Sequence, residues 1–293
     1  MNTYTEKVQE NDIEKLKGYF KQKNAEFDSL PYALFRAKGN GFNAVLYKSL
    51  KLVVQGSEVS QIAEEIKELI FSEDIEIKEF SPHIGVDESG KGDYFGPLVI
   101  AGVYVDETNV ERFKKMGVKD SKQLKDIQIQ KMAVDIKNNA VFSVVVINPE
   151  KYNELYNNIK NLNKLLAWGH ARVIENILEK QSSEWALSDK FGDEKLIQNA
   201  LMTNGRKIRL EQRTKAEQDI AVAAASIIAR YEFVKRISEL SYKYHVNLPK
   251  GASDSVVKAG VELLKYTNPS VLRQVAKLHF KTTQEILDIV KTR

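Results

Sequence analysis

The chain has 293 residues, of which 43% are hydrophobic and 29% are charged, and this balance predicts a packed core and about two domains. It contains no cysteine, which excludes disulfide scaffolds, thiol nucleophiles, cysteine zinc sites and iron–sulfur clusters. The formal net charge of +4 permits an anionic partner without requiring one. No stretch approaches about 18 consecutive apolar residues and the first residues are polar, so we expect a cytoplasmic protein without a membrane partner.

The first 80 residues have the pattern of a small domain of helices and strands. Runs rich in aromatic and β-branched residues predict strands, two of which flank the turn Gly39-Asn-Gly41. A helix is expected after the N-cap residue Ser57, because isoleucines recur there four residues apart. The expected elements are a polar helix over residues 4–24, strands at 32–38, 42–47 and 50–54, and a helix over 58–71.

A domain boundary is expected near residues 79–82, where a charge run ends in a Ser-Pro pair before a new apolar strand. Residues 1–80 carry a net charge of −3, which leaves +7 for residues 81–293. Residues 32–56 contain four basic residues and no acid, so the acidic charge lies mainly in the helix-like stretch 58–79. We therefore expect a small domain with one basic face and one acidic face.

The larger segment alternates between apolar strands and amphipathic helices. Three strands followed by alternating helices and strands predict a mixed sheet flanked by helices, with further helices in the C-terminal quarter. The expected strands lie at 83–86, 97–105, 141–147, 184–188 and 207–212, and the expected helices lie around 161–180, 193–202 and 220–238.

The most informative stretch runs from Gly85 to Pro97 and places two carboxylates, Asp87 and Glu88, at the end of an apolar strand. Adjacent carboxylates repel each other, and a divalent cation relieves that repulsion. Neighbouring side chains of a regular strand point to opposite faces, so binding one ion requires the strand to twist or end there, which Ser89-Gly90 permits. An exposed acidic turn is the alternative interpretation of this pair.

The tripeptide Gly90-Lys91-Gly92 follows directly. Glycines on both sides of a lysine let main-chain N–H groups approach a phosphate, and the lysine adds a positive charge. The spacing is not that of a P-loop. An ordinary surface turn is again the alternative.

Taken together, the thirteen residues 85–97 resemble the motif of the type 2 ribonucleases H, and residues 90–97 are similar to its ribonuclease HIII form. Lys91 stands where ribonuclease HII typically has arginine. The resemblance extends over residues 82–293 through four further segments, at 119–124, 161–168, 215–230 and 248–251. It implies an α/β fold, a ribonuclease H-like mixed sheet flanked by helices in a catalytic domain of residues 81–293. It also implies that residues 1–80 form a small α+β substrate-binding domain resembling the TATA-binding protein fold.

The resemblance further implies a site of four carboxylates that binds two divalent ions. Asp87, Glu88 and Asp189 match the first three family positions, and Glu217 matches the fourth, with Asp219 as its competitor. Oxygen ligands without cysteine or clustered histidine favour Mg²⁺ or Mn²⁺. Asp219 has an alternative role, because an acid in the first turn of a helix is favoured by the helix dipole.

The implied activity is endonucleolytic hydrolysis of the RNA strand of RNA/DNA hybrids, leaving 5′-phosphate and 3′-hydroxyl ends, by an enzyme expected to be a monomer. The alternative within the family is ribonuclease HII-like incision at single ribonucleotides embedded in duplex DNA. A non-catalytic hybrid-binding protein is disfavoured because all four carboxylates are present, and a phosphate-binding enzyme of another family is a remote possibility.

Substrate contacts are expected in both domains. The resemblance implies that groups near the cut read 2′-hydroxyls and phosphates, and the acid-free window of the first domain is a candidate for holding the hybrid backbone. A merely solvated surface is the alternative for Lys122 and for the window. The candidate substrate-binding residues are Gly90, Lys91, Gly92, Ser121, Lys122, Arg36, Tyr47, Lys48 and Lys51.

Overall fold

The computed structural model describes residues 2–10, 12–71, 80–119, 121, 124–193 and 195–292, without the side chains of residues 68, 70 and 71. The chain forms two compact units, residues 1–79 and residues 80–293. No helix within the described ranges is both long enough and apolar enough to cross a membrane.

The N-terminal unit is an antiparallel sheet of five strands with two helices. The sheet order is β1-β5-β4-β3-β2, and the strands and helices pack buried apolar side chains such as Leu16, Leu46 and Ile62 into one core. Alternation along β3 to β5 sends the remaining side chains to the other face of the sheet. The elements are β1 (Asn2–Lys7), α1 (Asp12–Gln22), β2 (Glu26–Asp28), β3 (Ala33–Gly39), β4 (Phe42–Tyr47), β5 (Lys51–Gly56) and α2 (Val59–Phe71).

The start of this unit differs from the prediction. A helix was expected from residue 4, but residues 2–7 form β1, which pairs with β5 from Asn2–Gly56 to Lys7–Lys51. Thr-Tyr-Thr is a favourable strand sequence, and the polar character of the segment reflects a strand with one exposed side. The structure also adds β2, while β3, β4, β5 and α2 confirm the other predicted elements.

The C-terminal unit is built on a mixed sheet of order β10-β9-β6-β7-β8. The pairs β6–β7 and β7–β8 are antiparallel, whereas β6–β9 and β9–β10 are parallel. The elements are β6 (His83–Ser89), β7 (Leu98–Val105), α3 (Glu107–Lys115), α4 (Asp126–Asn139), β8 (Phe142–Ile147), α5 (Pro149–Ile159), α6 (Leu162–Leu178), β9 (Trp185–Asp189), α7 (Lys195–Ala200), β10 (Arg209–Arg213), α8 (Ile220–Tyr244), α9 (Asp254–Tyr266), α10 (Leu272–Val275) and α11 (Lys281–Lys291). The predicted mixed sheet flanked by helices is confirmed, and α3, α4 and α5 are additions to the predicted elements.

Two helices cover the central strand β6 from opposite sides. Helix α8 lies directly against one face, because a Cβ atom at Gly85 would be 2.1 Å from the carbonyl carbon of Ala221. Helix α6 covers the other face, where its apolar residues pack with Val86 and Ile100. Consecutive residues of β6 therefore face different helices, and this alternation determines the surroundings of Asp87 and Glu88.

Candidate active site

Asp87 and Glu88 lie within a regular part of strand β6. The ladder between β6 and β7 continues from Asp87–Ala101 through Glu88–Ile100 to Ser89, so the strand does not end at the two carboxylates. Asp87 is bonded to Ser226 of α8, while Glu88 is bonded to His170 of α6. The two adjacent acids thus lie on opposite faces of the sheet.

Asp189 joins Asp87 on the face that α8 covers. The last paired residues of the parallel strands β6 and β9 are Val86 and Ser188, and Asp87 and Asp189 follow one residue later on each strand. Leu187, two residues before Asp189, packs against α8, so side-chain alternation directs Asp189 to the same side. The carboxyl ends of two neighbouring parallel strands therefore each supply one acid.

Glu217 and Asp219 lie close in sequence but have different surroundings. Glu217 belongs to a 3-10 turn, residues 216–218, just before α8, and its negative charge helps to raise the pKa of Asp189. Asp219 is the N-cap of α8, where Oδ1 accepts from the main-chain N–H groups of Ala221 at 2.8 Å and Val222 at 3.2 Å. This geometry gives Asp219 a capping role and makes Glu217 the acid near Asp189.

The buried residue His83 further distinguishes the surroundings of Asp219 from those of Glu217. Nε2 of His83 lies 3.0 Å from Oδ1 of Asp219, and its ring stacks on Trp185 at 4.1 Å between centroids. Burial alone would raise the pKa of Asp219, but the bond to His83 and the two capping N–H groups lower it below its usual value. Asp219 is therefore held as a carboxylate by structural partners.

The pKa values of Asp87 and Asp189, the acids on the α8 face, are raised. Burial and then the charge of Glu88 raise the pKa of Asp87 to about 7, against hydrogen bonds from the main-chain N–H of Glu88 at 2.8 Å and from Ser226. Burial also raises the pKa of Asp189, and the charges of Glu217 and Glu88 add to this effect. The four acids interact as a connected group of like charges.

Glu88 behaves in the opposite way. Burial would raise its pKa, but the hydrogen bond from His170 and the charge of Lys91 lower it below the usual value. Nε2 of His170 is 3.1 Å from Oε2 of Glu88, and Nζ of Lys91 is 3.4 Å from Oε1. The partners of Glu88 thus favour its ionised form, whereas burial and neighbouring charge favour the protonated form of Asp87.

These acids have the chemistry of a site for hard divalent cations. Carboxylate oxygens are the ligands that Mg²⁺ and Mn²⁺ prefer, and a cation would offset the burial and the like charges that raise the pKa of Asp87 and Asp189. Within the ranges that the structure describes, no three Asp, Glu or His side chains are gathered closely enough to hold an ion as placed. The residues fit such an ion by their chemistry and by their shared location.

A glycine-rich loop follows β6. Gly90 has a φ of +89°, and a Cβ there would lie 2.2 Å from the carbonyl oxygen of Pro97, so the turn requires glycine. At Gly92, by contrast, a Cβ would meet no described atom within 4 Å. Lys91 extends between them, with Nζ 5.5 Å from the ring centroid of Phe191. The loop offers exposed backbone at Gly92 and a cation beside Glu88.

The C-terminal part of the unit anchors this loop. Lys277 is fully buried, and its Nζ donates to the carbonyl oxygens of Asp93 at 2.7 Å and Gly96 at 2.8 Å. Burial lowers the pKa of Lys277 to about 7. The main-chain N–H of Gly251 donates to Asp93 Oδ1 at 2.6 Å. These contacts fix the loop from sequence positions far away from it.

Ser121 and Lys122 are the two further substrate contacts predicted in this unit. Ser121 is buried, and its Oγ lies 2.8 Å from Oγ of Ser226, the residue that bonds Asp87. Ser121 thus supports Ser226 beneath Asp87, and the contact with nucleic acid predicted for it stays a prediction. Lys122 lies outside the described residues.

The predicted basic window of the N-terminal unit is not free of acid in three dimensions. Strand β2 brings Asp28 opposite Arg36, and the two side chains form an ion pair. Tyr47, Lys48 and Lys51 are exposed around the β4–β5 turn. The pairing with Asp28 reduces the positive charge that Arg36 offers, whereas the turn retains its basic residues.

Four residues with contacts to the site or its loop were missed by the sequence analysis. They are His170, Ser188, Ser226 and Lys277, which are all buried. The available signal was a polar residue inside an otherwise apolar segment, as for His170 in α6 and Ser188 in β9. Their partners, however, are set by the fold.

A mixed sheet with acids at the ends of neighbouring strands β6 and β9 defines the class as a ribonuclease H-like nuclease. The model of the family described as Ribonuclease HII matches residues 84–283, and residues 5–70 match a family described as a domain of unknown function (DUF3378). Ribonuclease HIII of Protochlamydia amoebophila (strain UWE25) is 45% identical over 262 residues, 87% of each chain.

Solved structures agree with this class. The crystal structure of Bst-RNase HIII in complex with Mn²⁺ is 30% identical, with a TM-score of 0.71 and 100% of both chains covered. Aquifex aeolicus RNase H3 is 29% identical, with a TM-score of 0.57, covering 95% of this chain and 100% of that one. The chain belongs to the ribonuclease HIII family of type 2 ribonucleases H and is a metal-dependent nuclease, which confirms the resemblance and the predicted fold class.

Proposed function

We propose that the chain is an endoribonuclease that hydrolyses the RNA strand of RNA/DNA hybrids with two divalent ions, Mg²⁺ or Mn²⁺, and leaves 5′-phosphate and 3′-hydroxyl ends. The observation that carries this proposal is the meeting of Asp87 and Asp189 on one face of β6 and β9. Glu88 lies beside them and Glu217 lies near Asp189, so four acids share one end of the sheet.

Asp87, Glu88, Asp189 and Glu217 are the residues that would hold the ions. When bound, such a pair of ions lowers the pKa of the attacking water and stabilises the leaving 3′ oxygen. The carboxyl group of Asp87 must lose its proton to serve as a ligand, and Glu88 is already ionised. The Mn²⁺ complex of Bst-RNase HIII supports this choice of cation.

The glycine-rich loop is proposed to recognise the RNA strand. The 2′-hydroxyl is the group that separates RNA from DNA, and exposed main-chain N–H and C=O groups can bond to it. The open space at Gly92 lets a sugar–phosphate backbone approach closely, and Gly90 shapes the turn. Lys91, next to Glu88, supplies a charge for a phosphate near the cut.

Residues 1–80 are proposed to bind the hybrid backbone without sequence specificity, and residues 81–293 are proposed to perform the cleavage. Lys48, Lys51 and Tyr47 are the exposed candidates, with Arg36 as a weaker one because of its ion pair with Asp28. Contacts of lysine with phosphates give an affinity that decreases with salt.

The test of cleavage uses the full chain with labelled duplexes in Mg²⁺ and in Mn²⁺. One substrate is an RNA/DNA hybrid, and the other is duplex DNA that contains a single ribonucleotide. We expect cleavage within the RNA strand of the hybrid, with products whose 3′ ends a polymerase extends and whose 5′ ends carry phosphate. Cleavage of neither substrate would refute the proposal, and efficient cleavage only at the single ribonucleotide would indicate ribonuclease HII-like activity.

The test of hybrid binding changes charges in the full chain. Lys48→Glu combined with Lys51→Glu should weaken hybrid binding and reduce the slope of log Kd against log salt by about 2. Lys17→Glu with Lys21→Glu, on α1, makes the same change in net charge and should leave the affinity unchanged. Equal effects of both double variants would show that net charge alone is responsible.

A further inference from the structure

His170 lies in the middle of α6 with no exposed surface. Its Nε2 is 3.1 Å from Oε2 of Glu88, and its Nδ1 is 3.0 Å from Oγ of Ser188. That hydroxyl is also 3.0 Å from the carbonyl oxygen of Asp189. The hydroxyl has one proton to donate, to Nδ1 or to that carbonyl, so Ser188 ties the buried ring to β9 at the residue before Asp189.

The surroundings of His170 would otherwise suit an apolar residue. The neighbouring positions Leu166, Val173 and Ile174 of the same helix are buried and apolar. A polar ring in such a place is costly unless its nitrogens are hydrogen-bonded. Nε2 of His170 bonds to Glu88, and Nδ1 bonds to Ser188, the residue before Asp189. A carboxylate can only accept, so Nε2 must carry the proton that Glu88 receives as a hydrogen bond.

The contacts of Glu88 divide between a buried partner and a partly exposed one. His170 is buried and holds Oε2, whereas Lys91, whose side chain is 38% exposed, reaches Oε1 at the longer distance of 3.4 Å. The histidine therefore determines which way the carboxylate points. Oε1 is the oxygen left for a ligand when Lys91 turns towards a phosphate.

We propose that His170 is a positioning residue of this nuclease: anchored to β9 through Ser188, it fixes the carboxylate of Glu88 for the binding of a divalent ion. This inference rests on the proposed function, because it concerns the same four acids. Outer partners that orient metal ligands typically change metal affinity or activity by about 10–100-fold when they are removed.

The test compares variants of the full chain by calorimetric titration with Mn²⁺, without nucleic acid, and by kcat and KM on a hybrid. His170→Ala should weaken Mn²⁺ binding by about 10–100-fold and lower kcat with little change in KM. His170→Gln should recover part of both losses, because its amide can donate to Glu88. Ser188→Ala should act in the same direction with a smaller effect, since it removes only the hydrogen bond at Nδ1 of His170.

Ile174→Ala is the matched control, because it removes a buried side chain of the same helix that makes no hydrogen bond to the acids. It should lower the thermal midpoint while Mn²⁺ affinity and kcat stay at the wild-type level. The proposal is overturned if His170→Ala loses stability in the same way but keeps wild-type Mn²⁺ affinity and kcat. If that variant does not fold, unchanged Mn²⁺ binding by His170→Gln and Ser188→Ala overturns the proposal instead.

The two proposals fail in different experiments. A wild-type chain that binds Mn²⁺ and cleaves no hybrid would refute the proposed function, and the Mn²⁺ titrations would still decide the role of His170. A wild-type chain that binds no Mn²⁺ would overturn the positioning role itself.

Discussion

The two faces of β6 place adjacent acids in contrasting surroundings. On the α8 face, Asp87 meets a helix of small and apolar residues, with Ser226 as its side-chain hydrogen-bond partner, and its pKa rises to about 7. On the α6 face, Glu88 meets His170 and Lys91, and its pKa falls below the usual value. Both acids are largely withdrawn from water, so their hydrogen-bond partners, rather than burial, decide which of them is ionised.

This difference suggests a division of roles. In the proposed function, Glu88 would be ionised and oriented in advance, whereas Asp87 would give up a proton when it binds an ion. Metal binding to such a pair is expected to release a proton, because the ligand must be deprotonated.

Removing the charge of Asp87 should have the largest effect. Asp87→Asn should reduce cleavage by more than about 100-fold, which is the upper end of the loss expected when an outer partner of a metal ligand is removed. Affinity for the hybrid, measured by fluorescence anisotropy in the absence of divalent ions, should stay close to that of the wild type. A comparable loss of hybrid affinity would instead give Asp87 a structural role.

The second prediction separates Glu217 from Asp219. Glu217→Ala should lower kcat by at least about tenfold with little change in stability. Asp219→Ala should lower the free energy of unfolding by about 1 kcal/mol or more, because it removes the N-cap of α8 and the partner of His83. Its kcat, measured well below the unfolding temperature, should be nearly unchanged; the reverse pattern would make Asp219 the fourth ligand.

The third prediction concerns pH. Because the pKa of Asp87 is raised to about 7, protons compete with the ion, and Mn²⁺ affinity should fall by about tenfold for each pH unit below 7. Titration in buffers of different ionisation enthalpy should show close to one proton released at pH 6 and almost none at pH 8. Asp87→Asn should show no such release, and a pH-independent affinity in the wild type would contradict the asymmetry.

The smallest expected effect is on stability without divalent ions. An acid whose pKa is raised by folding stabilises the folded state fully below its ordinary pKa, and this contribution is lost as the pH rises from there to about 7. Asparagine carries no charge, so Asp87→Asn should be more stable than the wild type at pH 8. Each kcal/mol should raise the thermal midpoint by about 2–4 °C. The difference should vanish near pH 4, and a less stable variant at pH 8 would contradict the account.

The sequence predicted the site where its residues are neighbours along the chain. Asp87, Glu88 and Gly90 follow one another, and Asp189 ends an apolar strand, so local pattern and resemblance indicated them together. It also predicted the positions of most strands along the chain, because the pattern of apolar residues is a local property. The strand β1 was mistaken for a helix because its pairing with β5 joins residues about fifty positions apart, and no local pattern shows that partner.

The supporting contacts could not be predicted, because they depend on the fold. His170 lies 82 positions from Glu88, and Lys277 lies 184 positions from Asp93, so their hydrogen bonds exist only after the sheet is covered. For the same reason, the sequence did not show the different surroundings of Asp87 and Glu88. Alternation was known from the sequence, but which helix covers each side was not.

The most direct test of the four-acid site is a crystal structure of the full chain with Mn²⁺, with the ions located by their anomalous scattering. We expect Mn²⁺ at Asp87 and Asp189, with Glu88 still hydrogen-bonded to His170 through Oε2. Mn²⁺ bound elsewhere, or Glu88 turned away from both the ion and His170, would contradict it.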